Sequence, residues 1–189
     1  MERLNLYFNG PYSFSGENSV FDCKYKNAGG IYLWAVKTDK GYMIHYIGET
    51  MSLAKRQREH LLAQLSLDYG ICDVEALKKG ELKFIWNGLW RNRSSKNIEN
   101  LLSIYPKISK EVIANVNVNE IFFTEIDTDM KTRRAIEGII GYTLRNKFPE
   151  YKTLYPDDNR IARSMIPMNI KIEVSMAEKI LGLDTEYNI

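Results

Sequence analysis

The sequence predicts an α+β domain: a small central antiparallel β-sheet flanked by helices, with an extra strand at the N-terminus and a helical segment before the third core strand. Three observations predict it. Residues 31–36 and 42–47 form short runs that read as strands, separated only by Thr38-Asp39-Lys40-Gly41. Such a turn makes a hairpin, with Gly41 free to take the positive φ that a short loop demands. A helix follows directly, since Ser52 can cap it and Leu53, Leu61, Leu62 and Leu65 give it an apolar stripe without Gly or Pro. Finally, 189 residues at 44% hydrophobic and 26% charged are ordinary for a globular chain. That length buries roughly 70% of the unfolded surface in one domain.

The remaining elements follow in order. Residues 3–8 alternate as a strand that Asn9-Gly10-Pro11 should break, and Val20 to Tyr25 reads as a second strand. Val74–Lys79 and Ile98–Ile104 are helix-like, and Leu82–Trp86 is strand-like. Glu120–Ile126, rich in Phe and Ile, predicts the third core strand. The chain after Pro149 is loop-like as far as Pro167. Ile170–Val174 then alternates, and Ser175-Met176-Ala177-Glu178 is a capping box expected to open a short helix ended by Gly182.

Chemistry-bearing residues gather around the hairpin. Arg56 and His60 stand four apart on the first helix, so both lean from one face towards the strands that carry Tyr32 and Tyr46. Singly, the tyrosines are ordinary strand packing, Arg56 is part of a solvated face and His60 a surface residue. Their order is more informative. Gly30-Ile31-Tyr32, Tyr46-Ile47-Gly48 thirteen residues on, Arg56 ten residues after Tyr46, and His60 one turn later together resemble the GIY-YIG nuclease family. The segment Arg134-Ala135-Ile136-Glu137-Gly138-Ile139-Ile140 is similar to the family's second helix with its metal-binding glutamate. Asn159 is the best match to the family's loop asparagine. The spacing of thirteen exceeds the usual ten or eleven, and residues 63–118 form an insertion by family standards.

The resemblance implies an endonuclease that hydrolyses DNA phosphodiester bonds with Mg²⁺ or Mn²⁺, in a compact form similar to the restriction-enzyme branch. It casts Tyr32 as general base with His60 relaying its proton, and Tyr46 as a positioner of phosphate or water. Glu137 becomes the metal ligand, and Asn159 the sixth catalytic position. The residue types suit the reaction. A guanidinium matches the non-bridging phosphoryl oxygens, and Mg²⁺ needs only one or two protein carboxylates. A phenol, with its pKa near 10, needs cationic neighbours to ionise. Gly48 is expected to admit the phosphate backbone, lacking a Cβ. A nucleic-acid-binding module without catalysis, or a nuclease for RNA or branched DNA, would share these features.

Composition sets bounds. Net charge is only +2, so DNA affinity would rest on local clusters: Lys55 and Arg58 by the site, Arg91 and Arg93, Lys131, Arg133 and Arg134, and Arg160. No apolar run reaches the ~18 residues of a membrane span and no secretory signal is seen, which leads us to expect a cytoplasmic chain without a membrane partner. Cys23 and Cys72 lack metal spacing and read as free thiols. A homodimer would help to cut both strands.

Overall fold

The computed structural model describes residues 2–81, 83–89, 94–147 and 167–189, with only the backbone of residues 95–97. It is an α+β fold, but its sheet is larger than the sequence suggests and mixed. The strands are β1 (Glu2–Tyr12), β2 (Gly30–Thr38), β3 (Gly41–Thr50), β4 (Ile71–Cys72), β5 (Phe84–Trp86), β6 (Glu120–Glu125), β7 (Ile170–Met176), β8 (Ile180–Leu181) and β9 (Glu186–Asn188). The helices are α1 (Leu53–Leu65), α2 (Val74–Lys78), α3 (Ser95–Asn117) and α4 (Met130–Lys147). Among the described residues seven strands form one sheet in the order β8-β3-β2-β6-β1-β7-β9. β1 runs parallel to β7 and β3 parallel to β8, while β2–β3, β2–β6, β1–β6 and β7–β9 are antiparallel.

Three local expectations are corrected, the first and third by tertiary pairing and the second by local turns. β1 continues through Asn9-Gly10-Pro11, where a register shift against β6 absorbs the irregularity. Residues 20–25 form turns, because Asp22 and Cys23 both donate to the Ser19 carbonyl and Lys26 to that of Cys23, which satisfies the backbone locally. No helix opens at Ser175. Tyr7 and Phe8 of β1 stand opposite Ser175 and Met176 in parallel register, and Ile180 and Leu181 pair with Tyr42 and Met43. These ladder bonds outweigh the capping box.

The β2–β3 hairpin has two differently packed faces. Ile31, Leu33, Ile44 and Ile47 join Phe122 and the Ile136, Ile140 and Leu144 ridge of α4 in the main core. Tyr32 and Trp34 face the other way with Leu53, Ile121 and Phe123, and Tyr46 packs against them. α1 lies on this second face. A β-bulge places the tyrosines there together: Trp34 pairs with Tyr46 but Ala35 with Ile44, so His45 is the extra residue in β3. Without it, Ile44 and Tyr46 would point to the same side. Within the expected insertion, residues 63–118, the described Leu67, Ile71, Ile108 and Val112 form a cluster of their own, while Leu77 and Val116 join the two hairpin clusters.

Candidate active site on the hairpin

α1 buries Leu53, Gln57, His60 and Gln64 against the hairpin, whereas Leu62 is exposed. Leu53 is buried and Leu61 and Leu65 pack partly buried on the same cluster, as the leucine stripe predicts, but the buried positions beside Leu53 are polar. Ser52 precedes the helix, but its hydroxyl donates to the Lys26 carbonyl (3.4 Å) rather than capping the first turn. His60 Nε2 lies 2.7 Å from the Tyr32 hydroxyl, and its Nδ1 lies 3.0 Å from the hydroxyl of Tyr69. Tyr46 stacks on Tyr32 with ring centroids 6.0 Å apart and meets the imidazole edge-on at 5.5 Å. Trp34 closes the other side, 5.0 Å from His60, with its Nε1 donating to Gln57 Oε1 at 2.8 Å. Tyr32 and His60 form a buried floor, while Tyr46 and Arg56 form a partly exposed rim.

Tyr69 carries no sequence signal of its own. It reaches His60 because α1 ends in a left-handed residue, Leu67 at φ 59°, after which the Tyr69 amide returns to the Ala63 carbonyl. Glycine is the usual occupant of that conformation, so leucine hides the reversal.

Both glycines of the paired tripeptides are explained by close approach. A Cβ at Gly30 would overlap the Thr124 carbonyl of β6, and a Cβ at Gly48 would overlap the Tyr32 phenol. Gly48 stands opposite Tyr32 in the β2–β3 register. The space it frees is filled by the tyrosine of the partner strand, not left for a phosphate backbone.

Electrostatics alter the expected state of Tyr32. Burial, and then the neighbouring Tyr46, push its pKa well above the usual phenol value; Arg56 pulls the other way without prevailing. The phenol is therefore protonated at neutral pH in this arrangement, contrary to the expectation that cations would ionise it. Partial burial works against the Arg56 charge, but Glu59 (Nη1–Oε2 2.8 Å) and the two phenols more than offset it and raise its pKa.

The structure brings Tyr32, Tyr46, Arg56 and His60 together. Glu137, 8% exposed, sits on α4, whose apolar ridge packs on the opposite face of the hairpin. One turn before it, Arg133 is buried at 2% exposure, its Nε 3.2 Å from Glu49 Oε2 and its Nη1 on the Thr128 carbonyl. Arg133 is thus a strut between α4 and the end of β3 and presents no charge to an outer surface, which corrects its assignment to nucleic-acid contact. Arg134, Lys131, Lys55 and Arg58 are exposed. Asn159, Arg91, Arg93 and Arg160 lie outside the described residues.

Among the described residues no three His, Cys, Asp or Glu side chains assemble as a metal site. The donor set that the resemblance implies is the single carboxylate of Glu137, and Mg²⁺ accepts so sparse a set when water and phosphate oxygens complete its octahedron. Glu49 is not a second donor, since its two oxygens face Arg133 and Arg134.

Comparison with protein families, curated proteins and solved structures yields no match to this chain. Among the described residues no helix is long and apolar enough to cross a membrane.

Proposed function

We propose that this chain is a GIY-YIG-type endonuclease that hydrolyses DNA phosphodiester bonds with the help of Mg²⁺ or Mn²⁺. The observation that supports it best is the 2.7 Å contact between the Tyr32 hydroxyl and His60 Nε2, with Tyr46 stacked alongside and Arg56 at the rim. A buried, protonated phenol is a poor base alone. It becomes one when its proton passes to His60 Nε2 as it takes a proton from the attacking water. That transfer needs Nε2 unprotonated and the imidazole hydrogen on Nδ1, and the Tyr69 oxygen at 3.0 Å is placed to accept it. Arg56 would offset charge on the non-bridging oxygens of the scissile phosphate. Glu137 would hold the cation, which when bound supplies compensation for charge on the phosphoryl and leaving oxygens. Tyr69, from the described part of residues 63–118, lies beside the site, which fits a site-specific, restriction-like enzyme.

The test is incubation of purified protein with supercoiled plasmid and Mg²⁺ beside Glu137→Ala and Tyr32→Phe variants. Nicking by wild type should fall at least about hundredfold in each variant, the ordinary scale of general-base loss. Equal nicking by all three would sink the proposal. Duplex binding without nicking by wild type would instead mark a binding module.

A further inference from the structure

α3 is apolar around about half its circumference, and only one side of that surface is buried. Ile108 and Val112, with the partly buried Leu101 and Ile104, pack into the 63–118 cluster. The adjoining stripe is open to solvent: Ile98 (46% exposed), Leu102 (73%), Tyr105 (44%) and Ile113 (50%). At 100° per residue these four fall within about 80° of arc and run about 23 Å along the axis. Ser109 completes the row. An exposed apolar row of this length on a 23-residue helix is unlike the isolated surface leucine that needs no explanation.

We propose that this stripe is the seam of a homodimer in which α3 packs antiparallel on α3 of a second copy. The flanking charges favour a second copy over an unrelated partner. A two-fold axis between residues 105 and 106 sets Ile98 opposite the second copy's Ile113, Leu102 opposite Ser109, and Tyr105 against the Pro106 ring. The same axis brings like flanks together with their direction reversed. Glu99 and Lys110 share one flank, at about 100° and 120° on the wheel, and lie on either side of the axis. Along the helix they come within about 3 Å of facing each other across the seam. Both are exposed, and neither forms an ion pair among the described residues. The row is therefore self-complementary in charge as well as apolar: each Glu99 meets the second copy's Lys110, twice per dimer. A single helix pair lies at the small end of stable interfaces, so self-association belongs in the micromolar range.

Sedimentation equilibrium of the full chain over a concentration series tests this. Wild type should shift from the 22.0 kDa monomer mass towards twice that value. Leu102→Glu should weaken association more than about tenfold with unchanged far-ultraviolet circular dichroism, since that side chain is mostly solvent-exposed in the monomer. Glu99→Lys alone and Lys110→Glu alone should each weaken it about fivefold, and the double exchange should restore it. A wild-type chain that stays monomeric at hundreds of micromolar would overturn the proposal and leave the stripe to a different partner. So would a dimer indifferent to Leu102→Glu, or a double exchange that fails to restore pairing.

Discussion

The two faces of the β2–β3 hairpin are built from alternating residues of the same strands, yet they obey opposite rules. Towards α4 the side chains are aliphatic and closed: Ile31, Leu33, Ile44 and Ile47 against Ile136, Ile140 and Leu144. Towards α1 the face holds Tyr32, Trp34 and Tyr46 with the polar Gln57, His60 and Gln64. Gln57 Nε2 and Gln64 Oε1 are buried there without a hydrogen-bond partner among the described residues. Each such atom costs about 1–3 kcal/mol. A face that keeps those costs, while its reverse side is uniformly apolar, is not arranged for stability alone. One strand thus carries the core and the chemistry on alternate residues, each open to separate perturbation.

Removing one hydroxyl from the α1 face should separate activity from stability. Tyr32→Phe keeps the ring and its packing but removes the hydroxyl that His60 meets, so nicking should fall at least about hundredfold while urea denaturation shifts by no more than about 1–2 kcal/mol. Leu33→Ala should do the reverse. Loss of a fully buried leucine costs about 2–5 kcal/mol, read by the same denaturation, while nicking per folded molecule persists. If both variants lost stability equally and neither lost activity selectively, the two faces would have to be regarded as one core.

An effect of intermediate size comes from His45, the bulge residue between the faces. Burial pushes its pKa down to about 4 despite its bond to Asn119 Oδ1 (2.8 Å), which favours the charged form. The unfolded chain takes up this proton near pH 6.5 and the folded chain only near pH 4, so between those values the unfolded state binds more protons and stability rises with pH. Acidification from pH 6.5 towards 4 should cost at most about 3 kcal/mol. His45→Gln should flatten that part of the stability profile. Tyr69→Phe acts more gently: it removes one hydrogen bond, worth about 1 kcal/mol, but should raise the population of the His60 tautomer protonated at Nε2. Nitrogen-15 NMR of the ring reads this directly, and an unchanged tautomer would leave Tyr69 with a packing role only.

Much of this was legible in local pattern. The hairpin with Gly41 at φ 136°, α1, α2, β6 and the proximity of Tyr32, Tyr46, Arg56 and His60 follow from alternation, turn chemistry and helical spacing. What escaped depends on distant partners. Ser175-Met176 carries a helix-opening pattern that yields to pairing with Tyr7 and Phe8, contacts invisible at a separation of nearly the whole chain. Four of the six strand pairings in the sheet, β1–β6, β1–β7, β2–β6 and β3–β8, are of this distant kind, hence the underestimate of its size. Tyr69 was hidden by a leucine in a glycine-like conformation, and the buried polar Gln57 and Gln64 of α1 by the leucines Leu53, Leu61 and Leu65 that share the inner side of the helix. Arg133 read as a surface charge because Glu49, its counterion, lies 84 residues away.

The fit of Gly48 to Tyr32 makes the two tripeptides a single physical object. The phenol occupies the volume that any larger residue at position 48 would claim, so neither position can be interpreted, or engineered, without the other. The segment between them is constrained to bring these two residues opposite and to keep Leu33, Ile44 and Ile47 in the core, and the bulge at His45 reconciles the two demands. Coupled substitution at the two sites, rather than their sequence separation, is then the signature by which kindred hairpins should be sought.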